Sequence, residues 1–171
     1  MTRTPAAGMR LNTLLAGLLV GPLSDDPEIR GLTLDSRQVQ PGDLFLAAPG
    51  ARADGRAFMG GALARGAAAV VYEDDGVEPD RRVAGAIGIP DLRRQIGVIA
   101  DRFYGSPSRR LKVVGVTGTN GKTTTTQLLA QALDRAGQRC GLIGTLGSGF
   151  PGNLDPSLHT TPDAVSVHRL L

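Results

Sequence analysis

The apolar residues of this chain recur with two spacings, which predict alternating helices and strands. Five leucines between Leu11 and Leu19 lie at helical spacing and predict an amphipathic helix over residues 11–20. Short apolar runs bounded by Gly, Pro or Asp predict strands at 31–37, 44–48, 67–72 and 83–89. A helix of small residues, with Met59 and Ala62 on one face, separates the second and third strands. The pattern therefore predicts an α/β fold.

The helix that follows these strands has a clear start and a clear apolar face. It begins after Pro90, with Asp91 as the predicted N-cap. Its apolar stripe consists of Leu92, Ile96, Ile99 and Phe103. A Gly-Ser-Pro-Ser run at 105–108 then interrupts the pattern. We therefore predict one domain over residues 1–107 and the start of another at 108–171.

The second part opens with a sequence that suits phosphate binding. An apolar run at 113–116, a glycine-rich turn, Lys122 and four threonines follow in that order. They predict a buried strand, a phosphate-binding turn and a helix over 123–135 that stops at Gly137. Glycines let backbone N–H groups turn onto phosphate oxygens, and the helix N-terminus adds unpaired N–H groups and a positive dipole end. Lys122 suits the outer phosphates, and the Thr123 hydroxyl suits Mg²⁺.

The glycine spacing of this turn departs from the usual P-loop. The position six residues before the lysine is Val116, whereas Gly115 and Gly118 stand seven and four residues before it. The alternative is an ordinary strand-to-helix turn with incidental Gly and Lys. Four β-branched threonines are costly at a helix start, and they favour the phosphate site because a hydroxyl can then bind metal or phosphate. Asn120 suits either a left-handed turn or a ligand contact.

The last part of the chain predicts a strand at 140–145, a long Gly/Pro/Ser-rich loop and a short helix. Thr161 is the predicted cap, Pro162 the first helical residue and Asp163 a favourable charge near the dipole. Two parallel strands and two helices in about 60 residues do not cover both faces of a parallel sheet. We therefore expect the chain to be the front part of a longer protein, through truncation or because the sequence covers only part of it.

Composition and charge exclude several classes of function. Hydrophobic residues make up 41% of the chain, which argues against disorder. The single cysteine, Cys140, excludes a disulfide framework, indicates a reducing compartment and is predicted to be a small buried hydrophobe. The net charge is only +3 and the basic residues are scattered, so the sequence shows no basic patch of the kind that binds nucleic acid. No apolar segment is long enough to span a bilayer. His159 is predicted to be solvated and His168 to pack, so no Ser/His/Asp or Cys/His set emerges.

Taken in order, several short motifs resemble the Mur ligases. They are Leu-Asp-Ser-Arg at 34–37, Pro-Gly-Asp-Leu-Phe at 41–45, Asp-Gly at 54–55 and Gly-Val-Thr-Gly-Thr-Asn-Gly-Lys-Thr-Thr at 115–124. Gly-Thr-Leu-Gly at 144–147 and Thr-Thr-Pro at 160–162 resemble the MurE branch. Members of that branch are UDP-N-acetylmuramoyl-L-alanyl-D-glutamate ligases, which add the third peptide residue in peptidoglycan assembly.

The resemblance implies a fold and a set of reactants. Residues 1–107 would be a small α/β domain for the UDP substrate, and residues 108–171 the start of a P-loop α/β ATPase domain. ATP and Mg²⁺ are implied as cofactors, and UDP-N-acetylmuramoyl-L-alanyl-D-glutamate and an amino acid as partners. The amino acid is expected to be meso-diaminopimelate rather than L-lysine, and the location cytoplasmic. Neither nucleic acid nor membrane is expected as a partner, and the oligomeric state is left open.

The resemblance also assigns residues to the site. The predicted ATP-binding residues are Gly118, Thr119, Asn120, Gly121, Lys122, Thr123 and Thr124. Within this set, Lys122 is the catalytic residue and Thr123 the Mg²⁺ ligand. The predicted contacts to the UDP substrate are Leu34, Ser36, Ala51, Arg52, Ala53, Thr160 and Thr161. Some relatives have His-Gln at 51–52 and Asn at 159, so backbone contacts are expected at the first of these places.

Two other interpretations stay open at this point. One is a P-loop kinase or NTPase, which the displaced glycine and the preceding UDP-type domain disfavour. The other is a non-catalytic UDP-sugar-binding fragment, which would follow if residues 1–171 are all that the cell makes. Under the ligase interpretation we expect residues 1–171 alone not to ligate.

Overall fold

The structure, a computed structural model, describes residues 8–50, 53–76, 83–156 and 162–171. It divides into two compact units, Met1–Ser106 and Pro107–Leu171. Parallel strands and helices alternate along the first unit, so the predicted α/β fold class is confirmed.

A short antiparallel ladder opens the first unit. Its elements are β1 (Met9–Arg10), α1 (Leu11–Leu14) and β2 (Glu28–Ile29), with β1 paired to β2. The predicted helix over 11–20 is wrong beyond Leu14. Gly17 turns the backbone into the left-handed region at φ +76°, and the Arg102 guanidinium donates to the carbonyls of Leu14 and Ala16. Hydrogen bonds from this distant arginine thus replace continued helical bonds.

Four parallel strands form the main sheet of this unit. In chain order they are β3 (Gly31–Thr33), β4 (Asp43–Ala47), β5 (Ala69–Glu73) and β6 (Ile87–Ile89), and they lie side by side in that order. Helix α2 (Met59–Ala64) makes the crossover from β4 to β5, and α3 (Leu92–Phe103) follows β6. The four predicted strands are confirmed. The first ends early, at a 3₁₀ turn over Ser36–Gln38, and the last begins late, after the left-handed Gly85.

The core lies on both faces of this sheet. Phe45 and Val70 pack with Met59 and Ala62 of α2. Side chains alternate along a strand, so the buried residues between them point to the opposite face, where α3 contacts β5. All four residues of the predicted α3 stripe are buried, as predicted: Leu92, Ile96, Ile99 and Phe103. A parallel sheet needs cover on both faces, and the two helices supply it.

A glutamate from the sheet caps α3. The Glu73 carboxylate, in a residue only 8% exposed at the end of β5, accepts a hydrogen bond from the Arg93 N–H at 2.8 Å. Asp91 occupies the N-cap position at φ 53° and ψ 34°, and its side chain makes no capping bond. The prediction that Asp91 caps this helix is wrong, because side-chain capping requires an extended backbone at the N-cap residue.

Helix α4 (Lys122–Arg135) is the longest element of the second unit. The predicted stop at Gly137 is confirmed, with φ +77°. The Gly137 N–H donates to the Asp134 carbonyl at 3.0 Å, and the Gln138 N–H donates to the Leu133 carbonyl at 2.9 Å. This pair of bonds is a Schellman motif, which satisfies the last carbonyls of the helix.

Three antiparallel strands follow α4, where a single strand and a loop were predicted. They are β7 (Leu142–Gly144), β8 (Gly147–Phe150) and β9 (Asn153–Asp155). The predicted pair of parallel strands is wrong: no described strand pairs with residues 113–116, and Val113 and Val114 are 61% and 65% exposed. Cys140 precedes β7 and is half-buried rather than buried. At Gly147 a Cβ would collide with the Asp155 carbonyl oxygen, so a glycine permits the close approach of β8 and β9.

Helix α5 (Ala164–Leu170) is the last element. The Asp163 carboxylate accepts the Ser166 N–H at 2.9 Å and the Ser166 hydroxyl at 2.7 Å, so Asp163 is the N-cap. The helix therefore starts later than predicted, and Pro162 lies outside it. Thr161, the predicted cap, lies outside the described residues. A carboxylate reaching the third helical N–H satisfies an otherwise unpaired donor, which explains the shift.

The two candidate caps of α3 can be separated by substitution. Glu73→Ala removes the acceptor of the Arg93 N–H and is expected to lower the free energy of unfolding by about 1–3 kcal/mol. Asp91→Asn keeps a residue that tolerates the left-handed conformation. This substitution is expected to change the free energy of unfolding by less than about 0.5 kcal/mol. Urea unfolding followed by tyrosine fluorescence reports on the first unit, because both tyrosines, Tyr72 and Tyr104, lie there and the chain has no tryptophan. Equal losses from the two substitutions would contradict this assignment.

Candidate functional site

The predicted phosphate loop has the backbone that such a loop requires. Gly118 and Gly121 take positive φ angles of +146° and +78°. Gly121 is the N-cap of α4 and makes no side-chain capping bond. The Thr125 N–H donates to the Gly121 carbonyl at 2.8 Å, which is the first helical bond. The three amides before it, at residues 122–124, face the open end of the helix, where the dipole favours an anion.

The Lys122 side chain folds back over this loop. Its ammonium donates to the carbonyls of Gly118 and Thr119, the latter at 3.3 Å, and the residue is exposed. The positive charge therefore lies beside the helix N-terminus instead of extending into solvent. An anion at the helix end would meet both the free amides and this ammonium.

The four threonines that follow differ in their surroundings. The Thr126 hydroxyl lies 3.0 Å from the carbonyl oxygens of both Lys122 and Thr123, to which it donates, so the helix itself satisfies it. Thr124 and Thr125 are exposed, whereas Thr123 is half-buried. Thr123 and Thr126 both line the edge of a cavity, and the Thr126 hydroxyl is the one already bonded to helix carbonyls.

This cavity has a volume of about 190 Å³ and lies between the start of α4 and residues 142–147. From the helix it is lined by Lys122, Thr123, Thr126 and Gln127. The Gly-Thr-Leu-Gly motif at 144–147, which the sequence linked to this family only by resemblance, lines the opposite side. Gln127 was missed by the sequence analysis. It lies four residues after Thr123, so helical spacing alone places it on the same face.

In the first unit, the predicted substrate residues follow neighbouring parallel strands. Leu34 and Ser36 come after β3, and Ala53 comes after β4. Because β3 and β4 are parallel and paired, these loops lie at the same edge of the sheet. Leu34 is half-buried, Ser36 is 9% exposed and Ala53 is exposed.

The turn that holds Ser36 is fixed by an aspartate. The Asp35 carboxylate accepts the Arg37 N–H at 3.0 Å, and the Arg37 guanidinium forms an ion pair with it at 2.8 Å. These hydrogen bonds from Arg37 lower the pKa of Asp35 to about 2, so the carboxylate stays charged well below neutral pH. Asp35 thus acts as the capping residue of this turn.

The loop after β4 is held by a residue that the sequence analysis missed. The Arg56 guanidinium forms ion pairs of 2.8 Å with both Asp54 and Asp75, and its side chain is only 13% exposed. Hydrogen bonds from Arg56 lower the pKa of Asp54, and the carboxylates raise the pKa of Arg56. The two-residue spacing of Asp54 and Arg56 is a local signal of this pairing. Asp75 lies nineteen residues further on, and no sequence pattern indicates it.

Several predicted residues lie outside the described part of the chain: Ala51, Arg52, His159, Thr160 and Thr161. Among the described residues, no group of three or more His, Cys, Asp or Glu is arranged to hold a metal ion. No helix within the described ranges is long and apolar enough to cross a membrane.

Comparisons with known proteins agree with the motifs. Residues 28–104 match a family model described as "Mur ligase family, catalytic domain", and residues 116–171 match one described as "Mur ligase middle domain". The chain is 54% identical to the UDP-N-acetylmuramoyl-L-alanyl-D-glutamate--2,6-diaminopimelate ligase of Alkalilimnicola ehrlichii, covering 95% of this chain and 34% of that protein. It is 58% identical to the protein of the same name from Pseudomonas putida, covering 93% of this chain and 32% of that protein.

Solved structures give the same result. A structure titled as a UDP-N-acetylmuramoyl-L-alanyl-D-glutamate--2,6-diaminopimelate ligase matches with a TM-score of 0.74 and 32% identity, over 96% of this chain and 33% of that one. MurF from Acinetobacter baumannii matches with a TM-score of 0.57 and 25% identity, over 77% of this chain and 29% of that one. The chain thus spans about a third of the length of the relatives it matches. On the two family models, these relatives and this fold, the chain belongs to the Mur ligase family.

Proposed function

We propose that this chain contributes the UDP-substrate domain and the phosphate loop of an ATP-dependent ligase. The ligase adds a third amino acid, meso-diaminopimelate, to UDP-N-acetylmuramoyl-L-alanyl-D-glutamate in peptidoglycan synthesis. One observation carries the proposal: the Lys122 ammonium lies over the glycine loop at the open end of α4, in a chain whose relatives are named as 2,6-diaminopimelate ligases. The first unit binds the UDP substrate, and the second belongs to the ATP-binding domain.

The proposed reaction has two steps. In the first, a carboxylate oxygen of the D-glutamyl residue forms a bond to the γ-phosphorus of ATP, the bridging oxygen–phosphorus bond breaks, and ADP leaves. In the second, the amine of the third residue attacks the resulting acyl phosphate. The tetrahedral intermediate then expels inorganic phosphate, and the nitrogen loses a proton to give the amide.

The described residues of the second unit have defined tasks in the first step. The free amides of 122–124 and the loop from Gly118 to Gly121 bind the phosphate oxygens. The Lys122 ammonium exchanges its carbonyl partners for the outer phosphates and stabilises the charge on the transferring group. Because phosphoryl transfer depends on positioning and electrostatics, these groups need no acid–base chemistry of their own.

Mg²⁺ fits the cavity beside this loop. The half-buried Thr123 hydroxyl lines it and is the kind of oxygen donor that Mg²⁺ accepts, whereas the Thr126 hydroxyl is already occupied within the helix. Mg²⁺ commonly keeps water and phosphate oxygens as its other ligands, so a single protein donor here is sufficient for this part of the site. When bound, the ion neutralises charge on the phosphates.

The UDP substrate is proposed to lie at the carboxyl edge of the parallel sheet. Leu34, Ser36 and Ala53 follow paired parallel strands that end at that edge, where ligands bind in open α/β sheets. Ala51, Arg52, Thr160 and Thr161 are carried over to the same substrate from the family resemblance. A cytoplasmic location is likewise carried over from the family resemblance.

The phosphate loop can be tested with the chain's two lysines. In the full-length protein, Lys122→Ala is expected to lower the rate of phosphate release by at least about 10²- to 10³-fold, because a charge aimed at the transferring group is lost. Lys112→Ala removes the other lysine of the sequence, which is exposed and outside the loop, and is expected to retain activity. The measurement is phosphate release that depends on ATP, the UDP substrate and the amino acid. Unchanged turnover by the Lys122 variant would refute the role of the loop.

The third amino acid can be identified by exchange of the substrate. With the UDP-dipeptide and ATP held constant, the full-length protein is expected to use meso-diaminopimelate over L-lysine by about 10²-fold or more in kcat/KM, because a site built for the extra carboxylate leaves polar groups unpaired when lysine binds. The UDP-tripeptide product is identified by mass spectrometry. A preference for L-lysine would contradict this part of the proposal, and phosphate release without any amino acid would favour an NTPase instead.

A further inference from the structure

Arg56 ties the loop after β4 to the end of the neighbouring strand. We propose that Arg56 is a positioning residue for the UDP substrate, an inference that rests on the proposed function. Arg56 holds Ala53 and Asp54, the described end of that loop, in the conformation that the substrate meets. The arginine acts through Asp54, and its own contacts all lie within the protein.

The first half of this connection is the set of hydrogen bonds from Arg56 to Asp54. The Asp54 carboxylate accepts hydrogen bonds from the Arg56 N–H at 2.9 Å, from Nε at 3.0 and 3.1 Å, and from Nη2 at 2.8 Å. A bidentate guanidinium–carboxylate pair fixes the relative orientation of the two side chains as well as their distance. Asp54 therefore has little freedom to rotate away from the base of the loop.

Asp54 in turn closes the loop. It forms a β-bridge with Pro49, and the Gly50 N–H donates to the Ala53 carbonyl at 2.9 Å. Behind it, the Gly55 N–H donates to the Ala48 carbonyl at 3.1 Å, and a Cβ at Gly55 would lie 2.8 Å from that same oxygen. The two ends of the loop are thus joined across a contact that only glycine permits. Fixing Asp54 fixes Ala53, the described residue of the predicted substrate loop.

The second half of the connection is the anchor. Nη1 of Arg56 donates to the Asp75 carboxylate at 2.8 Å and to the Glu73 carbonyl at 3.3 Å. Glu73 ends β5 and Asp75 lies two residues beyond it, and the Glu73 carboxylate caps α3. The loop is therefore positioned against a strand and a helix of the core. A lysine cannot make this set of contacts, because its ammonium lacks the planar fork that reaches two carboxylates and a carbonyl together.

The low exposure of Arg56 distinguishes its ion pairs from those at the exposed surface. Its side chain is 13% exposed, whereas Arg37, which makes a similar pair with Asp35, is 83% exposed. Exposed pairs contribute little because water screens them, whereas a partly buried pair fixes geometry. A loop held in place before binding does not have to be ordered by the substrate, so its fixation favours affinity. Arg56 is remote from the phosphate loop in the sequence and belongs to the other unit, so the chemical step should not depend on it.

The test uses steady-state kinetics of the full-length protein. Arg56→Met is expected to raise KM for the UDP substrate on the order of tenfold, because a displaced contact loses binding geometry. The value of kcat and the KM for ATP should stay within about twofold. Arg56→Lys should restore only part of the affinity for the UDP substrate. Asp75→Asn removes the ion pair with Asp75 and keeps the Arg56–Asp54 hydrogen bonds, so its KM for the UDP substrate should be intermediate.

Arg102→Met is the matched control. Arg102 also joins two elements through several backbone carbonyls, but it links α3 to the end of α1 and to Ala16 just after it. Its loss should lower the temperature of unfolding without raising KM for the UDP substrate. The proposal is overturned if Arg56→Met leaves KM unchanged, or if Arg102→Met raises KM equally, since the effect would then be general destabilisation.

The outcomes also separate this inference from the proposed function. A wild-type protein without turnover dependent on the UDP substrate would refute the proposed function, and with it the inference. If the wild-type protein turns over normally and the Arg56 variants keep the wild-type KM for the UDP substrate, the inference alone is refuted. If Arg56→Met fails to fold, Arg56→Lys and Asp75→Asn decide the question, and wild-type KM values for both would overturn the proposal.

Discussion

Parallel strand pairing is the constraint on which the first unit depends. Because β3 to β6 all run the same way, every connection that leaves a strand starts at one edge of the sheet. That geometry brings together Leu34, Ala53 and Asp75, which are far apart in the sequence. Helices must cover both faces for the same reason, and this is why α2 and α3 lie on opposite sides. Core and candidate site are two consequences of one pairing rule.

Carboxylates organise the turns at this edge. Asp35, Asp54 and Glu73 each accept a hydrogen bond from the backbone N–H of an arginine, at residues 37, 56 and 93. Each one satisfies a donor that the following turn or helix leaves unpaired and complements the positive end of its dipole. The protein thus supplies its own anion at the start of each of these elements.

The start of α4 is arranged in the opposite way. Gly121 is its N-cap, no side chain caps it, and no acidic residue lies in its first turn. The neighbouring side chain is instead a cation, Lys122. Where α5 uses Asp163 to satisfy its first turn, α4 leaves its amides for an external anion. This contrast within one unit supports the proposal that phosphate binds there.

Local patterns predicted most of the fold, and contacts between distant residues account for what they missed. The stripe of α3 could be predicted because helical spacing is a property of neighbours in the sequence. The cap of α3 could not, since Glu73 lies twenty residues before its partner, and the left-handed backbone of Asp91 leaves no compositional signal. In the candidate site, the order of glycine, lysine and threonine predicted a glycine turn that leads into a helix, and α4 begins at such a turn. The apolar run at 113–116 predicted burial, but burial depends on which strands lie beside it.

The exposure of that run has a consequence for residues 1–171 when they are studied on their own in solution. Val113 and Val114 belong to an apolar segment that no described strand pairs, and Leu128 and Leu146 of the same unit are 62% and 59% exposed. Apolar side chains next to unpaired backbone groups attract other polypeptides, as uncovered sheet edges do. For a polypeptide limited to residues 1–171, we therefore expect aggregation at high concentration to begin at the second unit while the first unit is still folded.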